Sequence, residues 1–454
     1  MERYDVFVIG GGGTGSEVAF SLGRRSKLKI GLAERDQLGG ECNHYGCVPT
    51  KVMLRSAKVA AWGRRAGRFG VRIPNVDVDF AAVMARARKI IDDSSGGGAK
   101  PFIDQGIDVL FDEVRLVGPH RLETAAGGMI EAEHIVIATG TEATAPPIDG
   151  LDGAPYWTNR EALWSPTEVP ASLMVLGSGP IGIEFAQIYA RFGAKVTVVE
   201  LFDRIMYVED EDSSAALVPA LDEDGIEMIT SAKTTRASRD AGGWTLEVEG
   251  REPVRAAELL VATGRKPCFD EHDLDAAGVQ MKDGKPVLDE TLRTTGENIW
   301  AAGDATGDLL FTHVGSYEAE IVVDDILGKR RPRDYRVVPK VTFCEPEVAS
   351  VGHSEKAARE GGHEVVTSML RFADNERAVI DGATHGIVKL VADKKSGELL
   401  GGHIVGEGAG DLIHEIVAVM AGKIPIEVAG EAIHAYPTVS ETVKGAFLQL
   451  AEKL

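Results

Sequence analysis

The stretch Asp5-Val6-Phe7-Val8-Ile9-Gly10-Gly11-Gly12-Gly13-Thr14-Gly15 reads as a buried strand that breaks into a glycine-rich turn and opens a helix. The helix runs through about Leu22, and a second strand, Lys29 to Ala33, ends at Glu34. In a G-x-G-x-x-G loop the first glycine makes the turn, the second lets the backbone approach a pyrophosphate, and the third packs helix on strand. Gly10, Gly12 and Gly15 hold those positions, with Gly13 between them, and the helix N-terminus is then aimed at phosphate. An acid about 20 residues further on reaches a ribose hydroxyl. Glu34 stands 19 residues after Gly15.

The same device returns downstream. Ser172 to Leu176 leads into Gly177, Gly179 and Gly182, then a helix to about Phe192, then Lys195 to Val199 and Glu200, 18 residues after Gly182. One such motif is weak, because glycine turns also arise for packing alone. Two with matched spacing imply two nucleotide-binding domains. Two apolar strands, Ile135 to Ala138 and Leu259 to Ala262, end in the same tripeptide, Ala138-Thr139-Gly140 and Ala262-Thr263-Gly264, and each closes one of these domains. Pro146-Pro147 with Gly150 and Gly153 reads as a linker.

From about residue 336 the pattern changes to strands and hairpins, such as Gly386 to Ala392, a turn over Asp393 to Gly397, and Leu399 to Val405. Helices follow around Leu412 to Met420 and Ser440 to Ala451. The expected fold is α/β, with two Rossmann-like dinucleotide-binding domains and a C-terminal α+β domain. Residues 1–149 and 271–335 form the first nucleotide domain, 150–270 the second and 336–454 the third. Ser94 to Gly98 is expected to end a helix.

Composition excludes several classes. With 49 basic and 70 acidic residues the net charge is −21, which repels nucleic acid and anionic lipid, so neither is expected as a partner. The opening Met1-Glu2-Arg3-Tyr4-Asp5 lacks the basic start of a signal peptide, and no apolar run approaches a bilayer span. A cytoplasmic protein is expected. Two of the 4 cysteines, Cys42 and Cys47, are close in sequence, and in a reducing compartment such a pair is more often catalytic or metal-binding than structural.

Those cysteines lie in Gly39-Gly40-Glu41-Cys42-Asn43-His44-Tyr45-Gly46-Cys47-Val48-Pro49-Thr50-Lys51. On a regular helix they would be separated by about 7.5 Å of rise, beyond the roughly 7 Å Cα limit for a disulfide. A bridged pair therefore needs a helix that starts distorted, which Gly46 permits, while Pro49 is tolerated in a first turn. A metal site competes, but no second ligand pair is nearby and no metal is expected. Two incidental buried thiols are the bland alternative.

In order and spacing these motifs resemble, over essentially the whole chain, the class I flavoprotein disulfide oxidoreductases, the family of dihydrolipoamide dehydrogenase, glutathione reductase and mercuric reductase. The resemblance implies FAD at the first nucleotide site, with Gly40, Thr139 and Gly140 contributing, and NAD(P)H at the second, with Gly264. It implies a redox disulfide in which Cys42 exchanges with substrate and Cys47 contacts the flavin, and Lys51 and Glu184 paired near flavin N5. Asn298 to Asp304 resembles the segment whose Asp binds the ribityl chain, which assigns Gly303 and Asp304 to the cofactor. Val338 to Glu347 resembles the start of a dimerisation domain, with Cys344 where Thr is common. A homodimer is implied, each site completed by the C-terminal motif of the other subunit. Glu200 favours NADH by bonding a free 2′-hydroxyl and repelling a 2′-phosphate; Arg204 nearby acts in the opposite sense.

One position departs. The family motif H-x-H-P-T-x-x-E uses its second His as acid/base and its Glu to orient it, whereas this chain reads His434-Ala435-Tyr436-Pro437-Thr438-Val439-Ser440-Glu441. With a reference pKa of about 10 against about 6.5 for His, Tyr436 is a poor base at neutral pH. His434 is the candidate replacement, on the same side of an extended segment. The expected activity is electron transfer between NADH, FAD, the Cys42/Cys47 pair and a dithiol or disulfide acceptor, including a lipoyl-bearing protein, nearest to dihydrolipoamide dehydrogenase. The alternatives are a mercuric reductase-like metal-ion or quinone reductase, since mercuric reductases carry Tyr at that position, and a complex-docking or redox-sensing flavoprotein without fast turnover.

Overall fold

The computed structural model describes residues 1–94 and 98–454. Part of the expected helix end at Ser94 to Gly98 lies outside these residues; the helix before it spans Phe80–Ser94. The chain forms two compact units, residues 1–50, 84–144 and 264–334 in one and 51–83, 145–263 and 335–454 in the other. Among the described residues no helix is long and apolar enough to cross a membrane.

The first unit is organised by a sheet in which Ile107–Leu110, Ile30–Ala33, Glu2–Ile9 and Met129–Ile137 lie side by side in parallel. The far side of Met129–Ile137 is shared, with Arg121–Thr124 antiparallel along its first half and Ile299–Ala301 parallel along its second. Helices and loops cover both faces, which is why Val6, Phe7, Val8 and Ile9 run as an unbroken apolar series with all four buried. The register aligns the strand ends: Ile9 lies opposite Ala33 and Ile137, and Ala301 opposite Ile137. One edge therefore carries Gly10, Glu34, Thr139 and Gly303 together. Ligands bind at that carboxyl edge in open parallel sheets.

The second unit repeats this plan on a smaller scale. Glu227–Ile229, Lys195–Val199, Ser172–Leu176 and Glu258–Val261 are parallel neighbours, with Leu176 opposite both Val199 and Val261. The edge then carries Gly177, Glu200 and Thr263. Its last part is a five-stranded antiparallel sheet in the order Pro339–Thr342, Glu347–Gly352, Leu399–Gly406, Ile387–Asp393, Val365–Arg371. Helices Ala409–Ala421 and Ser440–Ala451 close one face of it, packing Ile413, Ile416, Val443 and Phe447 on Val388, Leu390 and Ile404. A six-residue helix, Ile426–Glu431, is too short for apolar periodicity to reveal.

The cysteine stretch is two helices, Gly40–His44 and Cys47–Arg65, broken at Tyr45 and Gly46, and Pro49 lies in the first turn of the second. The expected distortion is present, and it brings the sulfurs together.

Candidate active site

The two glycine loops match atom for atom in what they do. Gly10 and Gly177 have φ of +103° and +100°, and a Cβ there would lie 2.3 Å from the carbonyl oxygen of Ala138 and 2.7 Å from that of Ala262. Only glycine fits these turns. A Cβ on Gly15 or Gly182 would lie 1.9 or 2.0 Å from the carbonyl oxygen of the loop's own first glycine, so the helix can close on the turn only without one. The middle position is open: nothing lies within 4 Å of a Cβ on Gly179. The acids repeat the symmetry. Glu34 accepts from the N–H of Gly11 at 2.7 Å and of Asp36 at 2.8 Å, and Glu200 accepts from those of Ser178 at 2.8 Å and Phe202 at 2.9 Å.

Asp304 sits in a single 3₁₀ turn, Gly303–Thr306. Its carboxylate accepts from the Thr141 hydroxyl at 3.2 Å, so it does not cap the turn, and burial pushes it above the usual carboxylate range. The Arg265 Nε–H donates to Thr141 Oγ1 at 2.9 Å, and its guanidinium lies 3.3 Å from Glu41, the residue before Cys42. Gly140 and Gly264 flank the short ladder of Thr141–Ala143 with Arg265–Pro267 that holds this chain of contacts.

Cys42 and Cys47 are thiols that share a hydrogen bond and lie within disulfide reach. The Thr312 hydroxyl, at the start of helix Thr312–Ile326, stands 3.3 Å from Cys42 Sγ and 3.7 Å from Cys47 Sγ. The hydrogen bond with Cys47, followed by burial, holds the Cys42 thiol well above the ordinary thiol range, and the Thr312 hydroxyl opposes this.

Lys51 and Glu184 form the expected pair, with Nζ 3.0 Å from Oε1 and 2.8 Å from Oε2. The Phe343 N–H donates to the same Glu184 oxygen at 3.0 Å, and the Phe343 ring lies 4.6 Å from the ammonium. Both contacts offset the cost of burying the pair.

The C-terminal motif separates its members. The Tyr436 hydroxyl donates to Glu376, not to Glu441, whose carboxylate instead accepts from the Thr438 N–H at 3.1 Å. His434 is held by Glu415 at 2.9 Å and the Ala432 carbonyl at 3.0 Å. Tyr436 and His434 thus have separate partners on separate helices. Sequence reading missed Thr312, Arg265, Thr141, Phe343 and Glu376. No local pattern marks them, since each meets its partner from far along the chain.

Two dinucleotide edges and a thiol pair define an FAD-dependent oxidoreductase that also uses a pyridine nucleotide. Residues 4–320 match the family model described as pyridine nucleotide-disulphide oxidoreductase and residues 338–447 match its dimerisation domain, so the chain belongs to that family. It is 38% identical to the dihydrolipoyl dehydrogenase of Chlorobaculum tepidum over 98% of this chain and 96% of that protein. It is 34% identical to the mercuric reductase of Bacillus cereus over 98% of this chain and 71% of that protein. Among solved structures, the Cu(II) complex of the HOCl-induced flavoprotein disulfide reductase RclA from Escherichia coli superposes with a TM-score of 0.88 at 28% identity, covering 98% of this chain and 99% of that one. The dimerisation-domain match supports a homodimer.

The residues present fit FAD. A cavity of about 520 Å³ opens at the first carboxyl edge, lined by Gly10, Glu34 and Thr139 among others, and the Thr139 hydroxyl in its wall is buried without a partner. A Cβ on Gly40 would lie 2.8 Å from Gly12 Cα, so the two backbones approach each other too closely for a side chain at residue 40. Gly10, Gly12, Glu34, Thr139 and Asp304 would hold the group.

Proposed function

We propose that this enzyme moves electrons between NADH and a dithiol or disulfide acceptor by way of the Cys42/Cys47 pair, with an activity nearest to dihydrolipoyl dehydrogenase. The observation that carries this reading is the hydrogen-bonded thiol pair with one shared hydroxyl neighbour, Thr312. Bound FAD would supply the two-electron chemistry that links a reduced pyridine nucleotide to the two sulfurs. Cys42 exchanges with the acceptor, and Cys47 closes the internal disulfide. Lys51, held by Glu184, supplies a fixed positive charge. NADH is the favoured donor because Glu200 is 5% exposed and already oriented by two backbone N–H groups, while the Arg204 guanidinium is tied to the Tyr207 carbonyl at 2.8 Å.

A second reading, reduction of a thiophilic metal ion or a quinone, is favoured by Tyr436 in place of the family's histidine. Steady-state oxidation of NADH and NADPH with lipoamide, Hg(II) and a quinone in parallel separates the readings. Lipoamide-dependent turnover with NADH at least tenfold above NADPH is expected. Turnover with Hg(II) or quinone alone would replace the first reading by the second.

A further inference from the structure

Tyr436 is 70% exposed, yet its hydroxyl is committed to one partner, Glu376, the first residue of helix Glu376–Asp381. The contact belongs to a built junction. Asn375, which caps that helix by accepting from the Ala378 N–H at 3.0 Å, also donates from Nδ2 to the Thr438 carbonyl at 3.1 Å. Thr438 in turn donates its hydroxyl to the Ala435 carbonyl at 2.7 Å. Residues 436–438 are thus docked on residues 375–376 through the Tyr436 hydroxyl and the Thr438 carbonyl. An acid in the first turn of a helix is ordinarily explained by the helix dipole. That explanation requires no contact with Tyr436 and leaves the docking unaccounted for.

We propose that Glu376 is the positioning residue for Tyr436: its carboxylate accepts a hydrogen bond from the phenol, which stays neutral, and leaves the oxygen lone pairs facing outward toward the acceptor. This rests on the reading that the C-terminal motif stands at the acceptor site. An imidazole held by a carboxylate presents a free nitrogen that can take a proton. A phenol held by a carboxylate presents only an acceptor oxygen, made electron-rich by its partner. The group it suits carries a positive end, the S–H of a thiol or a thiophilic cation. The charged groups around Tyr436 agree with this assignment. The hydrogen bond to Glu376 and the charge of that carboxylate raise the phenol above its ordinary range, Glu441 adds a smaller push in the same direction, His434 is engaged by Glu415, and Arg377 is paired with Asp381 at 2.6 Å.

An exposed pair of this kind contributes little to stability, so Glu376→Gln should fold, and Glu376→Asp keeps the charge as a second variant. On the purified holoenzyme, ultraviolet titration of tyrosinate, with Tyr436→Phe subtracted, is expected to move to lower pH in Glu376→Gln, to stay close to wild type in Glu376→Asp, and to move less in Glu441→Gln. With whichever acceptor turns over, kcat/KM in Glu376→Gln is expected to fall roughly tenfold, the size of a hydrogen bond to a charged group. That loss should vanish in the Tyr436→Phe background. An unmoved titration in Glu376→Gln, or the same loss with and without Tyr436, would overturn the proposal. If no acceptor turns over while the titration moves as expected, the functional reading falls and the positioning assignment stands.

Discussion

At the scale of single residues, Thr312 is one of the groups that set how readily Cys42 gives up its proton. Its hydroxyl stands beside both sulfurs and opposes the upward push that Cys47 and burial exert on Cys42. Thr312→Val keeps the shape and removes the hydrogen bond, so the Cys42 thiol should rise further and its thiolate fraction at a given pH should fall. A neutral hydrogen bond of about 1 kcal/mol corresponds to roughly fivefold, and alkylation of the reduced enzyme by iodoacetamide at pH 8 should slow by about that factor. An unchanged rate would mean that Thr312 does not tune the pair. The glycines with Glu34 and Glu200, and the two cysteines with Lys51, were legible in the sequence because each set is defined by spacing within one short stretch of chain. Thr312 was not, since 265 residues separate it from Cys47 and only the fold brings them together.

At the scale of elements, the last antiparallel sheet is tied to the parallel one before it by a buried cation. Lys389, in strand Ile387–Asp393, is 3% exposed and reaches Asp210 at 2.9 Å, Asp212 at 2.6 Å and Glu355 at 3.0 Å. Asp210 and Asp212 lie at the start of helix Glu211–Glu223, beyond Glu200, and Asp210 caps it. Lys389→Met removes the cation that these three acids share and strands the buried Asp210, so a loss of about 3–5 kcal/mol is expected from urea unfolding. The pH dependence has a definite sign. Hydrogen bonds from Arg359 and then Lys389 hold Glu355 below the usual carboxylate range. A depressed carboxyl contributes stability that is present above its unfolded pKa, about 4.3, and is lost as pH falls through the folded value. The wild type should therefore lose stability below about pH 4 more steeply than Lys389→Met. Equal acid slopes would refute the linkage. Strand 387–393 was legible as a hairpin arm, but nothing in the sequence singled out its lysine. Nothing local distinguishes a lysine facing water from one facing three acids.

At the scale of the whole molecule, the match to a dimerisation domain and the thiol chemistry make one joint prediction. The chain's mass is 48.4 kDa, and light scattering should report about twice that. Mass alone does not say whether a site is shared. A mixing experiment does. Combine Cys42→Ser protein, which lacks the thiol proposed to exchange, with Tyr436→Phe protein, which lacks the phenol, under conditions that let subunits exchange. If each site joins the thiols of one subunit to the C-terminal motif of the other, a hybrid dimer holds one site with both defects and one with neither. Random exchange makes half the dimers hybrids, so activity should recover toward about a quarter of wild type, above either parent alone. If thiols and phenol belong to the same chain's site, every hybrid site keeps one defect and no recovery is expected. The outcome depends on connectivity and not on which acceptor is used, so it holds for a dithiol and for a metal ion alike.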